Sequence, residues 1–321
     1  MKLTPKEAEF ISKSYGIGNI LAIKPMSTGK VNNSFDFKTT KGDYIIQIIG
    51  DEYTAWRQKR MNLQFRLLNY LKNKNFPYGV PTPLSLIDSK DKCVLKINKK
   101  YVRINKKVEG KVIKKFKKKH FKEAVKGLAL FHKYSKNFDW GGKDDSFSLD
   151  FEVLSKEYEK ISEIKPRSEI DKLILKNVPM FHECLHQLKK MDFGKKQTIH
   201  TDPNDTNILF KGDKLSGIID FDSIELSPIA KDIVLASERI KYPYKENNLK
   251  KIKLYAHEYR KSNNLSKKEE SLMIPLLIWA NCGFLIHYYF GLEKTNKRRN
   301  ERIRHTIKET KMFAKLMGWI K

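Results

Sequence analysis

The chain has 321 residues, 40% of them hydrophobic and 32% charged, which is ample material for a packed core and excludes a disordered chain. Its 65 Lys and Arg against 37 Asp and Glu give a formal charge of +28. That charge is carried mostly by Lys scattered along the whole sequence, and a solvated basic surface explains it without an anionic partner. Denser runs at Lys114–Lys119 and Lys294–Arg304 predict only weak, non-specific affinity for polyanions, so no specific nucleic acid is expected. Three widely spaced cysteines, Cys93, Cys184 and Cys282, form no CxxC pair and argue against a disulfide framework or zinc knuckle, which points to a reducing, cytoplasmic setting. Met1-Lys2-Leu3-Thr4-Pro5 lacks the apolar run of a signal peptide. Leu272–Phe290 is long enough to span a membrane, but Pro275, Asn281 and His287 make it a buried core helix in expectation, so no membrane partner is expected.

In chain order, Thr4-Pro5-Lys6-Glu7 reads as a capped helix start, and Gly16 as its stop. Ile20–Lys24, Ser34–Thr39 and Tyr44–Ile49 are short apolar runs read as strands, the last two joined by a Lys41-Gly42-Asp43 turn. Ala55–Asn73 has helical spacing through Met61, Phe65, Leu68 and Leu71. Pro77, Pro81 and Pro83 break that pattern, and Cys93–Ile97 with Tyr101–Ile104 reads as a further hairpin. Beyond Val108-Glu109-Gly110 the character turns helical: Phe121–Tyr134, Phe151–Ile161, Ile170–Lys190, Leu249–Lys261, Lys268–Phe290 and Ile303–Leu316. Ser266-Lys267-Lys268-Glu269 is a second capping box. Two short strands, Thr198–Phe210 and Leu215–Phe221, interrupt the helices and are joined through Gly212-Asp213. The expected fold class is therefore α+β. A small antiparallel-sheet N-terminal lobe over 1–107 is expected to meet, at a hinge near 104–110, a larger helical lobe over 108–321.

The interrupting segment reads Ile199-His200-Thr201-Asp202-Pro203-Asn204-Asp205-Thr206-Asn207-Ile208, followed by Gly217-Ile218-Ile219-Asp220-Phe221-Asp222. Phosphoryl transfer suits this pattern, because it asks a protein mainly for positioning and charge neutralisation. One carboxylate must take the acceptor's hydroxyl proton, and two oxygen donors must hold magnesium against the phosphates. A loop carrying Asp202 and Asn207 five residues apart can aim one side chain at the acceptor and the other at the metal, and Asp220 ends the next strand as a charged second ligand.

At these residues the sequence resembles the aminoglycoside phosphotransferase and choline kinase-like superfamily, whose hallmarks are H-x-D-x4-N and a later apolar-Asp-aromatic triplet. Gly127-Leu128-Ala129-Leu130-Phe131-His132 before the loop, and Pro228 and Asp232 after it, extend the likeness over most of the chain. The resemblance implies a protein-kinase-like fold of two lobes and an ATP- and Mg2+-dependent small-molecule kinase. It implies Asp202 as base, Asn207 and Asp220 as magnesium ligands, His200 as a brace, and Asp232 as a holder of the loop backbone. Asp222 is left between the metal, the substrate and a turn.

On the nucleotide side, Ser27-Thr28-Gly29-Lys30-Val31-Asn32-Asn33 lies between two strands where a phosphate-covering loop belongs. Thr28, Gly29, Lys30 and Asn33 are its candidate contacts. The family commonly keeps a Lys or Arg on the third strand, paired with a Glu on the following helix. Here Gln47 holds the first position and Gln64 or Asn62 the second, so an ion pair has become two amides, and Lys30 or Arg103 is left to supply the charge. Gly29–Asn33, Tyr44–Gln47 and Tyr101–Gly110 lean faintly toward the N-acetylhexosamine kinase branch. Asp139, Trp140, Asp205 and Glu225 are candidates to line the acceptor pocket, and neither the acceptor nor an ATP or GTP preference is legible.

Two rival readings exist. His182-Glu183-Cys184-Leu185-His186 matches the H-E-x-x-H zinc hydrolase pattern, without a convincing third ligand. The basic runs suit a nucleic-acid-binding module, without an aromatic-interleaved motif to support it. The absence of a downstream Ala-Pro-Glu argues against a kinase acting on protein side chains.

Overall fold

A computed structural model describes residues 3–26, 33–49, 55–90, 92–98, 100–142, 146–240, 242–243, 248–290 and 296–321. Its elements begin with α1 (Pro5–Tyr15), β1 (Ile20–Met26), β2 (Asn33–Thr39), β3 (Gly42–Ile49), α2 (Ala55–Asn73), β4 (Val94–Ile97), β5 (Lys100–Lys106), β6 (Lys111–Val112) and α3 (Lys118–Ser135). They continue with α4 (Ser146–Ser162), α5 (Glu169–Lys189), β7 (Gln197–Ile199), β8 (Ile208–Lys211), β9 (Lys214–Ile218) and β10 (Glu225–Ser227). The last are α6 (Ile229–Arg239), α7 (Asn248–Arg260), α8 (Lys267–Ser271), α9 (Met273–Phe290) and α10 (Asn296–Leu316). By contacts the chain divides into two compact units, residues 1–138 with 205–223, and residues 139–204 with 224–321.

The first unit is built on a five-stranded sheet of order β1-β2-β3-β5-β4, with antiparallel neighbours. Its N-terminal helix starts as the sequence dictates. Thr4 accepts from the Glu7 N–H, Glu7 reaches back to the Thr4 N–H at 2.9 Å, and Gly16 ends the helix at φ +64°. That left-handed stop suits glycine. Strand periodicity then sorts the sheet into two faces. Tyr44, Ile46 and Ile48 of β3 join Phe35, Phe37, Val102 and Ile104 in an apolar cluster with Ala8, Ile11 and Tyr15 of α1. Each such fully buried aliphatic or aromatic side chain contributes roughly 1.5–3 kcal/mol. Gln47, Arg103 and Asn105 alternate with these residues and so belong to the other face. A separate three-stranded sheet, β6-β8-β9, carries the central hairpin.

In the second unit α9 packs against α10, α6, α5, α4 and α8. Lys267–Phe290 is long and apolar enough to cross a membrane by length and composition, yet more than half of that stretch is buried inside the protein. A helix apolar on all sides is what a core position among other helices requires. The Ser266 box closes as expected, with Glu269 N–H donating to Ser266 Oγ and Glu269 accepting from the Ser266 N–H. Two features depart from the sequence reading. Thr198–Phe210 is not one strand; its first residues form β7, which pairs antiparallel with β10, and only its end enters the hairpin. Helix α6 lacks a side-chain cap, so no capping signal marked it, although Ile229, Ile233 and Val234 recur at helical spacing.

The carboxyl of Glu238 on α6 is shifted by its surroundings. Burial pushes the Glu238 carboxyl up to about 7, and the neighbouring Glu309 adds to the rise against weaker pulls from Lys251 and Asn248. The folded state therefore holds this proton more tightly than the unfolded chain. The favourable contribution is present in acid and is lost as pH rises from the ordinary carboxylate range through about 7. Replacing Glu238 by Gln should raise the Tm more at pH 8 than at pH 5. The gap reflects on the order of 3 kcal/mol, and paired thermal melts at the two pH values measure it.

Candidate active site

In the first unit, β8 and β9 form the hairpin expected from the sequence, with Ile208 opposite Ile218. One step beyond the last pair, the Ile219 N–H donates to the Asn207 carbonyl at 2.9 Å. This bond fixes the open end of the hairpin, where Asn207 and Asp220 follow. Asn207 is buried, whereas Asp220 is exposed and adopts φ +66°. Phe221 turns inward against Phe131, with ring centroids 5.5 Å apart, so the two aspartates flanking it remain outside. The outer edge of β9 meets Gly79, whose N–H donates to Ser216 O at 2.9 Å and whose carbonyl accepts from Ile218 at 3.0 Å. A side chain on Gly217 would strike the Gly79 carbonyl at 2.8 Å, so glycine is required for this approach. Asn207 and Asp220 thus supply two hard oxygen donors from a pinned hairpin end. That set fits magnesium, which keeps water and phosphate oxygens in its shell. Among the described residues no group of three or more His, Cys, Asp or Glu is placed to hold a metal.

In the second unit the loop bearing Asp202 is tied down by charge. Asp232, fully buried on α6, accepts from the backbone N–H of His200 and of Thr201, each at 2.7 Å. His200, also buried, uses Nδ1 to accept from the Asp202 N–H at 3.3 Å. Thr201 sits at φ +65°, a conformation costly for a β-branched residue, by about 1–3 kcal/mol. Its N–H is held by Asp232, and its carbonyl accepts from Arg239 Nη1 at 3.1 Å. Charge-assisted bonds of about 1.5–3 kcal/mol each offset the strain. The same Arg239 Nη1 forms an ion pair with Asp202 Oδ1. Sequence reasoning missed Arg239. It lies seven residues after Asp232, the spacing that puts two residues on one face of a helix, but α6 itself had not been anticipated. Of the proposed acceptor-pocket residues in this unit, Glu225 is in a buried pair with Lys231 at 2.5 Å, and Trp140 Nε1 donates to Thr198 at 2.8 Å.

Back in the first unit, the two amides expected in place of an ion pair meet around an arginine. Gln47 on β3 lies directly opposite Arg103 on β5. Its Oε1 accepts from Arg103 Nε at 3.0 Å, Arg103 Nη2 at 2.6 Å and Asn105 Nδ2 at 3.2 Å. Gln64 of α2 accepts from Nη1 at 2.5 Å, so Gln64, not the exposed Asn62, faces the sheet. Nη2 also donates to Asp222 Oδ1 at 3.1 Å. Of the remaining nucleotide-side candidates, Thr28, Gly29 and Lys30 lie outside the described residues, and Asn33 begins β2 opposite Ile48.

The rival metal motif falls on α5. His182, Glu183 and His186 line a cavity of about 860 Å³ with Ser162, Leu175 and Val178. Glu183 accepts from Gln187 Nε2 at 2.7 Å within the same helix.

A model of the Phosphotransferase enzyme family matches residues 22–247. The chain belongs to that family. A homoserine kinase from Agrobacterium fabrum (strain C58 / ATCC 33970) is 27% identical over 229 residues, which make up 68% of this chain and 64% of that protein. The chain thus spans just under two thirds of this relative's length. Among solved structures, spectinomycin phosphotransferase in complex with ADP and spectinomycin superposes with a TM-score of 0.66 at 13% identity. That match covers 98% of this chain and 99% of the other. A microcompartment-associated aminopropanol kinase gives 0.69 at 13% identity, covering 98% of each chain. The family fold, protein-kinase-like and α+β, is therefore this chain's fold, with its antiparallel sheet N-terminal and its helices mostly C-terminal. The N-acetylhexosamine lean remains an expectation beside a homoserine kinase relative.

If Asp232 sets the loop, Asp232→Asn must turn an NH2 toward one of two backbone donors. A loss of roughly 2–3 kcal/mol of stability is expected, measured by urea unfolding against the parent chain.

Proposed function

We propose that the chain is an ATP-dependent kinase that moves the γ-phosphoryl group to a hydroxyl of a small molecule of sugar, aminosugar or amino-alcohol type. The observation that carries this reading is the anchoring of the Asp202 loop by Asp232 and Arg239. A carboxylate whose flanking peptide groups are all held is pre-set to receive a proton at a fixed point. Asp202 accepts the acceptor's hydroxyl proton as that oxygen bonds to the γ-phosphorus. The bond from phosphorus to the β,γ-bridging oxygen breaks, and ADP carries that electron pair away. Asn207 and Asp220 hold Mg2+, which when bound neutralises the charge on the phosphates.

His200 braces the loop, and Thr28, Gly29, Lys30, Asn33 and Gln47 belong to the nucleotide side. Lobes of 1–107 and 108–321 divide nucleotide binding from acceptor binding. The homoserine kinase relative and the aminopropanol kinase fold neighbour, by their names, support an amino-alcohol as the first acceptor to try. Three free, buried cysteines support a cytoplasmic location. Neither nucleic acid nor membrane is needed by this reading.

The test is ADP release with Mg·ATP across a panel of homoserine, aminopropanol, hexosamines and aminoglycosides, with Asp202→Ala as the blank. An acceptor-dependent rate that falls at least ~10²-fold in Asp202→Ala is expected, the scale of losing a positioned base. An equal rate in the variant would remove Asp202 from the role.

A further inference from the structure

The first unit buries a guanidinium without giving it a buried counter-ion. The Arg103 side chain is only 7% exposed, yet two of the three groups it bonds are neutral amides. Among the described residues its single carboxylate partner is Asp222, which is 40% exposed and contributes one oxygen to Nη2 at 3.1 Å. Taking a cation out of water costs several kcal/mol, which an amide carbonyl returns only in part. A purely structural arginine at this place would be better served by a glutamate at position 47 or 64, each of which is one atom type away from the glutamine present. The neutral clamp instead fixes the fork and leaves the part-exposed Asp222 as its carboxylate partner among the described residues. Gln47 Oε1 holds the Nε and Nη2 edge, and Gln64 Oε1 holds Nη1.

The position is also specific. Arg103 stands on the face of the sheet away from the apolar cluster, opposite Gln47 on the adjacent strand. Its exposed partner, Asp222, lies two residues after Asp220. A rigid guanidinium held by neutral amides, with a solvent-reachable carboxylate on Nη2, is suited to a phosphate oxygen, whose geometry it matches.

We infer that Arg103 is the fixed cation that receives the nucleotide's polyphosphate, and that Asp222 occupies its Nη2 until a phosphate oxygen takes that place. The inference rests on the kinase reading and names a positioning residue for it. Gln47 and Gln64 are the neutral holders that keep Arg103 both aimed and charged.

The experiment measures ADP and adenosine affinity by titration calorimetry, with and without Mg2+, for the parent chain, Arg103→Gln and Gln47→Glu. Gln47→Glu preserves the shape and the acceptor atoms while giving Arg103 a formal counter-ion, so it should fold with an undiminished Tm. The expected result is an ADP affinity roughly tenfold or more weaker in both variants, with adenosine affinity unchanged because adenosine carries no phosphate. A structural role alone predicts a stable Gln47→Glu that binds ADP like the parent, and that result overturns the inference. So does parent-like ADP binding by Arg103→Gln. If Arg103→Gln does not fold, Gln47→Glu decides the question by itself. A parent chain that binds no nucleotide at all overturns the kinase reading, and this inference with it.

Discussion

One buried carboxylate sets the conditions for the rest of the candidate site. Asp232 takes two successive backbone N–H groups, those of His200 and Thr201, and so forces the chain to turn where it does. Thr201 accepts a left-handed conformation only because both its peptide groups are held by charge, Asp232 on one side and Arg239 on the other. Asp202 is the next residue, and its direction is a consequence of that turn. Among the described residues four non-glycines have positive φ; two are asparagines, which tolerate it, and the others are Thr201 and Asp220. Of these, the β-branched Thr201 carries the strain, and it directly precedes Asp202.

The proposed base and the proposed metal donors are fixed by different means. The Asp202 half depends on helix α6 supplying both Asp232 and Arg239, so the loop is only as firm as that helix's seat among α7, α8 and α9. The Asn207 and Asp220 half depends on backbone pairing across a hairpin and on glycines that let Gly79 approach the edge of β9. Side-chain charge holds Asp202, the proposed base, and main-chain hydrogen bonds hold the hairpin end that carries Asn207 and Asp220, the proposed metal donors. This division follows the chemistry: a base needs a definite direction, whereas metal donors need a definite separation.

Much of this was legible in the sequence, because local rules dominate where they are strong. The Thr4 and Ser266 capping boxes, the Gly16 stop, the limits of Ala55–Asn73 and the β8–β9 hairpin all follow from residue types at short spacings. The motif residues could likewise be named from their order in the chain. Features that depend on pairing between distant segments could not be read this way. β7 finds its partner in β10, some 26 residues away, and nothing local marks it as separate from the strand after it. Helix α6 has no side-chain cap to mark its start, although Ile229, Ile233 and Val234 recur at helical spacing. Arg239 was lost with it. Arg103 could be named as a spare charge, but only the register of β3 against β5 brings it to Gln47, and only the packing of α2 selects Gln64 over Asn62.

The claim on which the functional reading stands is that the hairpin end carrying Asn207 and Asp220 takes the nucleotide's magnesium. A crystal structure with Mg2+ and a non-hydrolysable ATP analogue tests it most directly. The metal should be liganded by both Asn207 and Asp220. Nucleotide density elsewhere, or a metal shell that lacks both of those residues, would contradict it.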